Sequence, residues 1–352
     1  MEGHEKIGVY STNMLIRKDT INILKYLTIS RVLNLFVLYF SFILSRILKK
    51  PILFGKPFTV SIEPTTACNL ACPECPSGLK QFSRVTGKLD LDVNRLLLRS
   101  IGKQLFYINY YFQGEPFLHP DFLELIKNAK KHKIYTSTST NAHFITKKVA
   151  EEIVESGLDR LIISIDGVTQ ETYESYRVTG KLLKVIEASK ALVEAKKRLN
   201  STTPHLIFQF LVVKPNEHEA PKIFDLAKEI GIDEVRLKSA QLYEYVQGNP
   251  LMPQQEKYAR YKKQKNGTYV LKYKTGNHCW RMWSSCVFTW DAKVVPCCFD
   301  KDAQYTLGSA VTENFDSLWN SSKYQEFRSN VLTKRNQIDI CKNCSEGSKV
   351  WL

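Results

Sequence analysis

The sequence predicts an α/β fold: a partial barrel of six β/α units, followed by a small cysteine-rich domain and preceded by an amphipathic helix. Three observations carry this. Short β-branched or apolar runs alternate with longer helical periods between residues 58 and 238. Nine cysteines fall into one group near residue 70 and another beyond residue 278. A basic, apolar segment fills residues 1–57. Alternation of the first kind marks strand–helix–strand units joined into a parallel sheet.

With 352 residues, the chain exceeds the usual size of one domain, which suits a large α/β domain with a smaller one attached. Hydrophobic residues at 43% and charged residues at 24% exclude a disordered chain. The formal charge of +15 calls for an anionic partner (nucleic acid, a phosphorylated substrate or an acidic lipid surface) or else marks a solvated basic exterior. Nine Lys/Arg against three Asp/Glu lie within residues 1–58, beside the most apolar stretch, which favours the membrane surface. The first long apolar run begins near residue 32, too deep for a secretory signal. A reducing compartment follows, in which thiols read first as metal ligands. The expected location is cytoplasmic, peripheral on the inner face of the cytoplasmic membrane.

Taken in order, residues 32–45 (VLNLFVLYFSFILS) are uncharged and have basic residues on both sides. Fourteen residues are short of the roughly 20 that a spanning helix needs. Arg31, Asn34, Ser41, Ser45 and Lys49 form a narrow polar stripe at helical steps. An interfacial anchor fits both features; a helix packed on the protein's own core, or a true span, are the alternatives. Strands are predicted at 58–63, 105–112, 134–139, 160–165, 206–213 and 233–238, and helices at about 91–102, 119–132, 146–156, 180–199 and 217–230. Six units are too few to close an eight-stranded TIM barrel but suit a partial, TIM-like (β/α)6 one, whose chemistry belongs on the loops after the strand C-termini. Residues 239–278 lose all period and read as a connector; its Lys262, Lys263, Lys265, Lys272 and Lys274 either meet an anionic substrate or form a solvated face. A final domain runs from 279 to 352.

Directly after the first strand the chain reads TTACNLACPECPSG, which puts Cys68, Cys72 and Cys75 on one loop. Three thiolates there hold three irons of a cubane cluster and leave the fourth iron open. This resembles the radical S-adenosylmethionine (SAM) superfamily, whose motif is C-x3-C-x-aromatic-C at this place. The resemblance implies a [4Fe–4S] cluster that cleaves SAM to a 5′-deoxyadenosyl radical. Glu74 departs from it, standing where an aromatic residue normally faces the adenine. Gly114, Glu115 and Pro116, after Gln113, are similar to the family's GGEP loop, which receives the SAM amino group. Asn141 lies in TNA, similar to TNG, with Ala142 for glycine. Ser164 and Asp166 lie in SIDG, which resembles the family's SxDG segment near the nucleoside; Asp166 serves equally well as a helix cap. Arg177 is a candidate partner for the SAM carboxylate.

The tail brings Cys279, Cys297, Cys341 and Cys344, four thiolates that close a site around zinc or a cubane. Their spacing, with WDAKVVPCCFD, resembles the twitch form of the SPASM extension, which implies one auxiliary [4Fe–4S] cluster. Cys286 and Cys298 are left outside it: Cys298 is expected to be structural, with exchange for Cys297 as the alternative, and Cys286 a small buried hydrophobe. The resemblance therefore implies two clusters, SAM, a flavodoxin- or ferredoxin-type electron donor and an oxidoreductase. From the basic N-terminus we expect its substrate to be a membrane-associated lipid or envelope precursor; the alternative is a peptide, as in maturases of ribosomal peptides. A remote alternative makes both sites structural zinc in a nucleic-acid-binding protein.

Overall fold

The computed structural model describes residues 9–10, 13–273 and 275–346, so Lys274 lies outside the described residues. Before the barrel come a short strand β1 (Val9–Tyr10) and helices α1 (Asn13–Leu24) and α2 (Ile29–Leu48). The barrel follows, strands separated by one or two helices: β2 (Thr59–Ile62), α3 (Pro76–Leu79), α4 (Leu91–Ile101), β3 (Tyr107–Asn109), α5 (Phe122–Lys131), β4 (Tyr135–Thr140), α6 (Lys147–Glu155) and β5 (Arg160–Ser164). It ends with α7 (Gln170–Tyr176), α8 (Leu182–Arg198), β6 (His205–Val212), α9 (Ile223–Ile230) and β7 (Glu234–Ser239). The six strands β2 to β7 pair in parallel, each with the next. All six lie where the sequence places them.

Local chemistry explains the element ends. Asp90 caps α4 by accepting from the Asp92 and Val93 amides, and Thr146 caps α6 through the Val149 amide. β4 reads YTSTST yet is buried throughout, and its threonine hydroxyls find partners: Thr136 Oγ1 donates to Asp159, Thr138 Oγ1 to the Tyr110 carbonyl and Thr140 Oγ1 to Glu115. The predicted helix at 217–230 begins only at Ile223, since turns occupy the residues before it. The connector is less irregular than its composition suggests, for β8 (Tyr261–Lys263) and β9 (Tyr269–Leu271) form a small antiparallel sheet.

The tail contains α10 (Arg281–Ser284), β10 (Ser285–Phe288), β11 (Lys293–Val295), β12 (Gly308–Ser309), α11 (Phe315–Trp319), α12 (Ser322–Lys334) and α13 (Asp339–Lys342). β10 pairs in parallel with β2, Cys286 opposite Val60, and so extends the barrel sheet to ten strands in the order β1-β7-β6-β5-β4-β3-β2-β10-β11-β12. Glu63, at the end of β2, reinforces the seam: it is fully buried, binds Arg84 and accepts from the Trp290 amide. One contiguous core joins Phe42 of α2, the barrel and the tail residues Trp283 and Trp319.

Helix α2 turns its polar stripe inward. Arg31 is buried and donates to the carbonyls of Tyr26, Gly102, His132 and Lys133. Asn34 pairs with the Lys56 backbone, Ser41 accepts from the Phe54 amide, and Ser45 accepts from the Ile52 amide. These bonds satisfy the irregular return strand 50–58, which has no sheet partner of its own there. Phe42 packs between Trp280 and Trp283, ring centroids 5.5 Å from each.

Candidate active site

The loop after β2 gathers three thiols above the barrel mouth. Cys68 senses the charges of Cys72 and Cys75, and burial pushes its thiol up to about 11. Burial raises Cys72 as well, against the opposing pull of Arg177, whose Nη1 lies 3.9 Å from the sulfur. The chain can wrap this tightly because residue 78 is glycine: a Cβ there would lie 2.7 Å from the Cys72 amide nitrogen. Among the described residues no three His, Cys, Asp or Glu side chains already stand at coordinating distance. The donor set nevertheless fits a cluster with one iron left for another ligand: three thiols on one loop, no histidine among them, the loop's one carboxylate, Glu74, bonded to the connector, and a cation at the rim.

The second strand's loop clasps the first. Gly114 has φ +74°, and a Cβ there would sit 2.2 Å from the Thr65 carbonyl oxygen. Its amide donates to the Ser77 hydroxyl at 2.8 Å, and the Glu115 amide donates to the Ala67 carbonyl at 2.7 Å. The Glu115 carboxylate accepts from Thr140 Oγ1 (2.6 Å), the Asn141 amide (2.7 Å) and the Phe117 amide (3.2 Å). Burial lifts it to about 7, with those bonds holding it down. Pro116 is buried and opens a one-turn 3-10 helix. Asn141 also donates to Asn69 of the cysteine loop at 2.8 Å, and Ala142 adopts a positive φ of 63°, a conformation that favours glycine.

Ser164 ends β5 and is buried. Asp166 does not cap the next helix; Thr169 does, accepting from the Thr172 amide. Asp166 is instead fully buried, accepts from the Leu211 amide at 2.6 Å and pairs with Arg177 Nε at 2.5 Å. Arg177 thus bridges a carboxylate and a cluster-loop thiol. Glu74 explains its departure from the aromatic pattern: it reaches the connector, accepting from the Tyr243 amide at 2.9 Å and from Asn249 at 3.3 Å.

In the tail, Cys297 senses Cys279, Cys341 and Cys298, while Cys341 and Cys344 each sense Cys279. Burial raises all four thiols, Cys341 to about 12. This donor set, with no position free, fits a closed cluster. Arg335 holds it together: buried, it reaches Cys344 Sγ (3.6 Å), the His278 carbonyl and the Glu346 carbonyl (2.7 Å). Nothing in the spacing of the sequence marked that arginine. Cys298 lies beside Arg281, 3.8 Å from Nη1, and Cys286 is buried in the core on β10.

Lysines lie near both groups of cysteines. Lys301 senses Cys75 and Glu74 on one side and Cys298 on the other, and its ammonium stands 4.7 Å over the Tyr243 ring. Tyr111 senses Cys68, Cys75, Glu115 and Arg177, yet keeps 40% of its surface open beside the first thiol group. Lys238, near the end of β7 and opposite Leu211 of β6, senses Cys298 and Arg260. Beside the connector a cavity of about 590 Å³ is lined by Lys214, Arg260, Lys262, Lys263 and Lys272, so three of the connector lysines share one basic hollow; Lys265 is exposed.

Comparison with known proteins gives two family matches: Radical SAM superfamily over residues 62–227 and SPASM, an iron–sulfur cluster-binding domain, over 279–345. A tungsten-containing aldehyde ferredoxin oxidoreductase cofactor-modifying protein of Pyrococcus furiosus is 25% identical over 313 residues, covering 81% of this chain and 86% of its own. The PqqA peptide cyclase of Gluconobacter oxydans is 27% identical over 53% of this chain and 50% of its own, and a mycofactocin maturase of Mycobacterium tuberculosis 34% identical over 40% and 35%. Of these two proteins, the chain therefore spans half or less. In fold it matches Streptococcus suis SuiB (TM-score 0.59, 16% identity, 84% of this chain and 73% of that one). It also matches anSMEcpe bound to AdoMet and a Cp18Cys peptide (0.57, 18%, 82% and 86%).

Proposed function

The chain belongs to the radical SAM superfamily and carries a SPASM domain, and on that premise we propose that it oxidatively modifies a peptide bound between two iron–sulfur sites. Membership makes it an enzyme that uses [4Fe–4S] clusters and SAM. We assign Cys68, Cys72 and Cys75 to the SAM cluster, and Cys279, Cys297, Cys341 and Cys344 to the auxiliary one. When bound, the first supplies the electron that cleaves SAM and so provides a radical able to take a substrate hydrogen.

The chain's own residues hold and shield. Gly114, Glu115 and Pro116 wall the position for the SAM ammonium, with Glu115 acting through Thr140 and Asn141. Asp166 fixes Arg177 against Cys72, leaving the guanidinium rim to face a carboxylate. Ser164 lines the nucleoside side. Tyr111 and Tyr243 exclude water from the region between the two sites, and Lys238 and Lys301 offer it positive charge. A flavodoxin- or ferredoxin-type protein is the proposed reductant.

The observation that carries the peptide reading is the position of Lys301, which senses Cys75 of the first thiol group and Cys298 beside the second, and so marks where the two cysteine segments approach one another. One relative is named a peptide cyclase and another a maturase, which supports a peptide substrate. None of the three relatives is named for a lipid, so the expectation of a lipid or envelope-precursor substrate gives way. Modification of a cofactor is the second reading, favoured by the Pyrococcus furiosus protein, whose match runs through both domains.

Anaerobically reconstituted protein should carry roughly eight irons per chain and release 5′-deoxyadenosine on reduction with SAM. Short peptides encoded beside the gene should accelerate that release and lose two hydrogens in mass. Acceleration by cofactor extracts and not by peptides would favour the second reading.

A further inference from the structure

We propose that the outward face of α2 docks this protein on an anionic lipid bilayer, the helix lying flat in the headgroup region. The reading is independent of the substrate proposed above.

The packing of α2 is inverted relative to an amphipathic helix on a soluble domain. Its polar stripe, apart from the exposed Lys49 at the C-terminal end, is spent on the protein interior, so the side left outside is apolar: Ile29, Leu33, Phe36, Val37, Phe40 and Ile47 are 82, 59, 66, 41, 61 and 70% exposed. Their spacing is the i, i+4, i+7 repeat of one helical face. Ile21 and Leu24 of α1 and Phe54 of the return strand, each more than half exposed, add to the exposed apolar surface of this N-terminal region. Solubility alone would disfavour so many contiguous open aliphatic and aromatic groups.

Charge says what covers them. No acidic residue occurs between Asp19 and Glu63. Lys25 and Lys133 lie exposed towards the N-terminal end of the helix, the latter in the turn that holds Arg31, and Arg46, Lys49 and Lys50 lie exposed at the other end. An apolar face ended by cations is complementary to acyl chains under anionic headgroups, whereas a second copy of the same face would set these cations against one another.

Packing decides between lying and crossing. The helix is 20 residues long and apolar enough to span. It is, however, tied down along its length, to the barrel at Arg31, to the return segment at Asn34, Ser41 and Ser45, and to the tail at Ser45, which accepts from Trp283 Nε1, and at Phe42, wedged between Trp280 and Trp283. A helix so fixed cannot leave the protein to cross a bilayer; it can only present one side.

The test is cosedimentation of the full chain with vesicles of phosphatidylcholine alone and of phosphatidylcholine with phosphatidylglycerol. Binding is expected on the second, weakening between about 0.1 and 0.5 M salt as the Debye length shrinks. Phe36→Ser with Phe40→Ser should lower partitioning at least about tenfold, and Lys49→Glu with Lys50→Glu should do so only on the anionic vesicles. Unaltered iron content shows that the variants fold. A conservative Phe40→Trp variant gives a second readout, since brominated acyl chains should quench its emission. Absence of binding to either vesicle, retention by the double serine variant, no quenching of the tryptophan, or a dimer in solution that the serine variant dissolves without any vesicle binding would each overturn the proposal.

Discussion

Replacing Arg177 with Met tests the most exposed consequence of the site geometry. Asp166 is completely buried and has two strong partners, the Leu211 amide and Arg177, whose side chain is 16% exposed. Burial raises the Asp166 carboxyl, and Arg177 opposes that rise more strongly than any other neighbour. Removing the guanidinium leaves a buried carboxylate with one bond, which costs ~3–5 kcal/mol in comparable buried pairs. Asp166→Asn preserves the shape and should cost less, ~1–3 kcal/mol, because the arginine keeps its contact with Cys72 and part of its side chain remains exposed. The double variant removes both charges, so its loss should fall short of the sum by ~1–3 kcal/mol. Urea unfolding of the iron-free proteins under anaerobic conditions gives all four corners of the cycle. Additivity within ~0.5 kcal/mol would mean that the pair does not exist as described, and Arg177 would then have no fixed position beside Cys72.

Three further outcomes bear on the rest of the molecule. Cys68→Ala should remove about half the iron and all 5′-deoxyadenosine formation, whereas Cys279→Ala should remove the other half and leave uncoupled SAM cleavage measurable by chromatography. Gly114→Ala should destabilise by at least ~2 kcal/mol in thermal unfolding, because alanine meets both the positive φ and the Thr65 carbonyl. Burial raises Glu234, but bonds from His205 and Arg236 outweigh it and bring the carboxyl from 4.5 to about 2; since the folded value is the lower, its stabilisation is present above pH 4.5 and disappears as pH falls through 2, so Glu234→Gln should cost ~2 kcal/mol at pH 7, allowing for the half-exposed arginine, and little near pH 2.

Much of this fold is legible in the chain because its signals are local. Runs such as RLIISI and HLIFQFLVV carry the β-branched and aromatic content of buried strands, and the cysteine loop declares itself by spacing. What the sequence hid is non-local. The pairing of β10 with β2 is parallel, so no hairpin turn announces it. Period alone shows that α2 has two faces and not which of them is turned inward; the return strand 50–58, needing donors and acceptors, chose the polar one. Asp166 had two equally good local readings, and only the fold brought Arg177 to it. Tyr111 and Arg335 belong to no motif, and their roles arise from elements that meet in space.

The seam between β10 and β2 also governs how the molecule can be divided. A chain cut at the connector would lose the strand that covers Thr59–Ile62, and the barrel would be left with a bare row of amide and carbonyl groups on a four-residue edge whose side chains include the buried Val60 and Ile62. Such an edge invites pairing between molecules. The barrel should therefore be recovered as aggregate when expressed without residues 279–352, and the tail serves as the edge protector of the catalytic half before it serves any redox purpose.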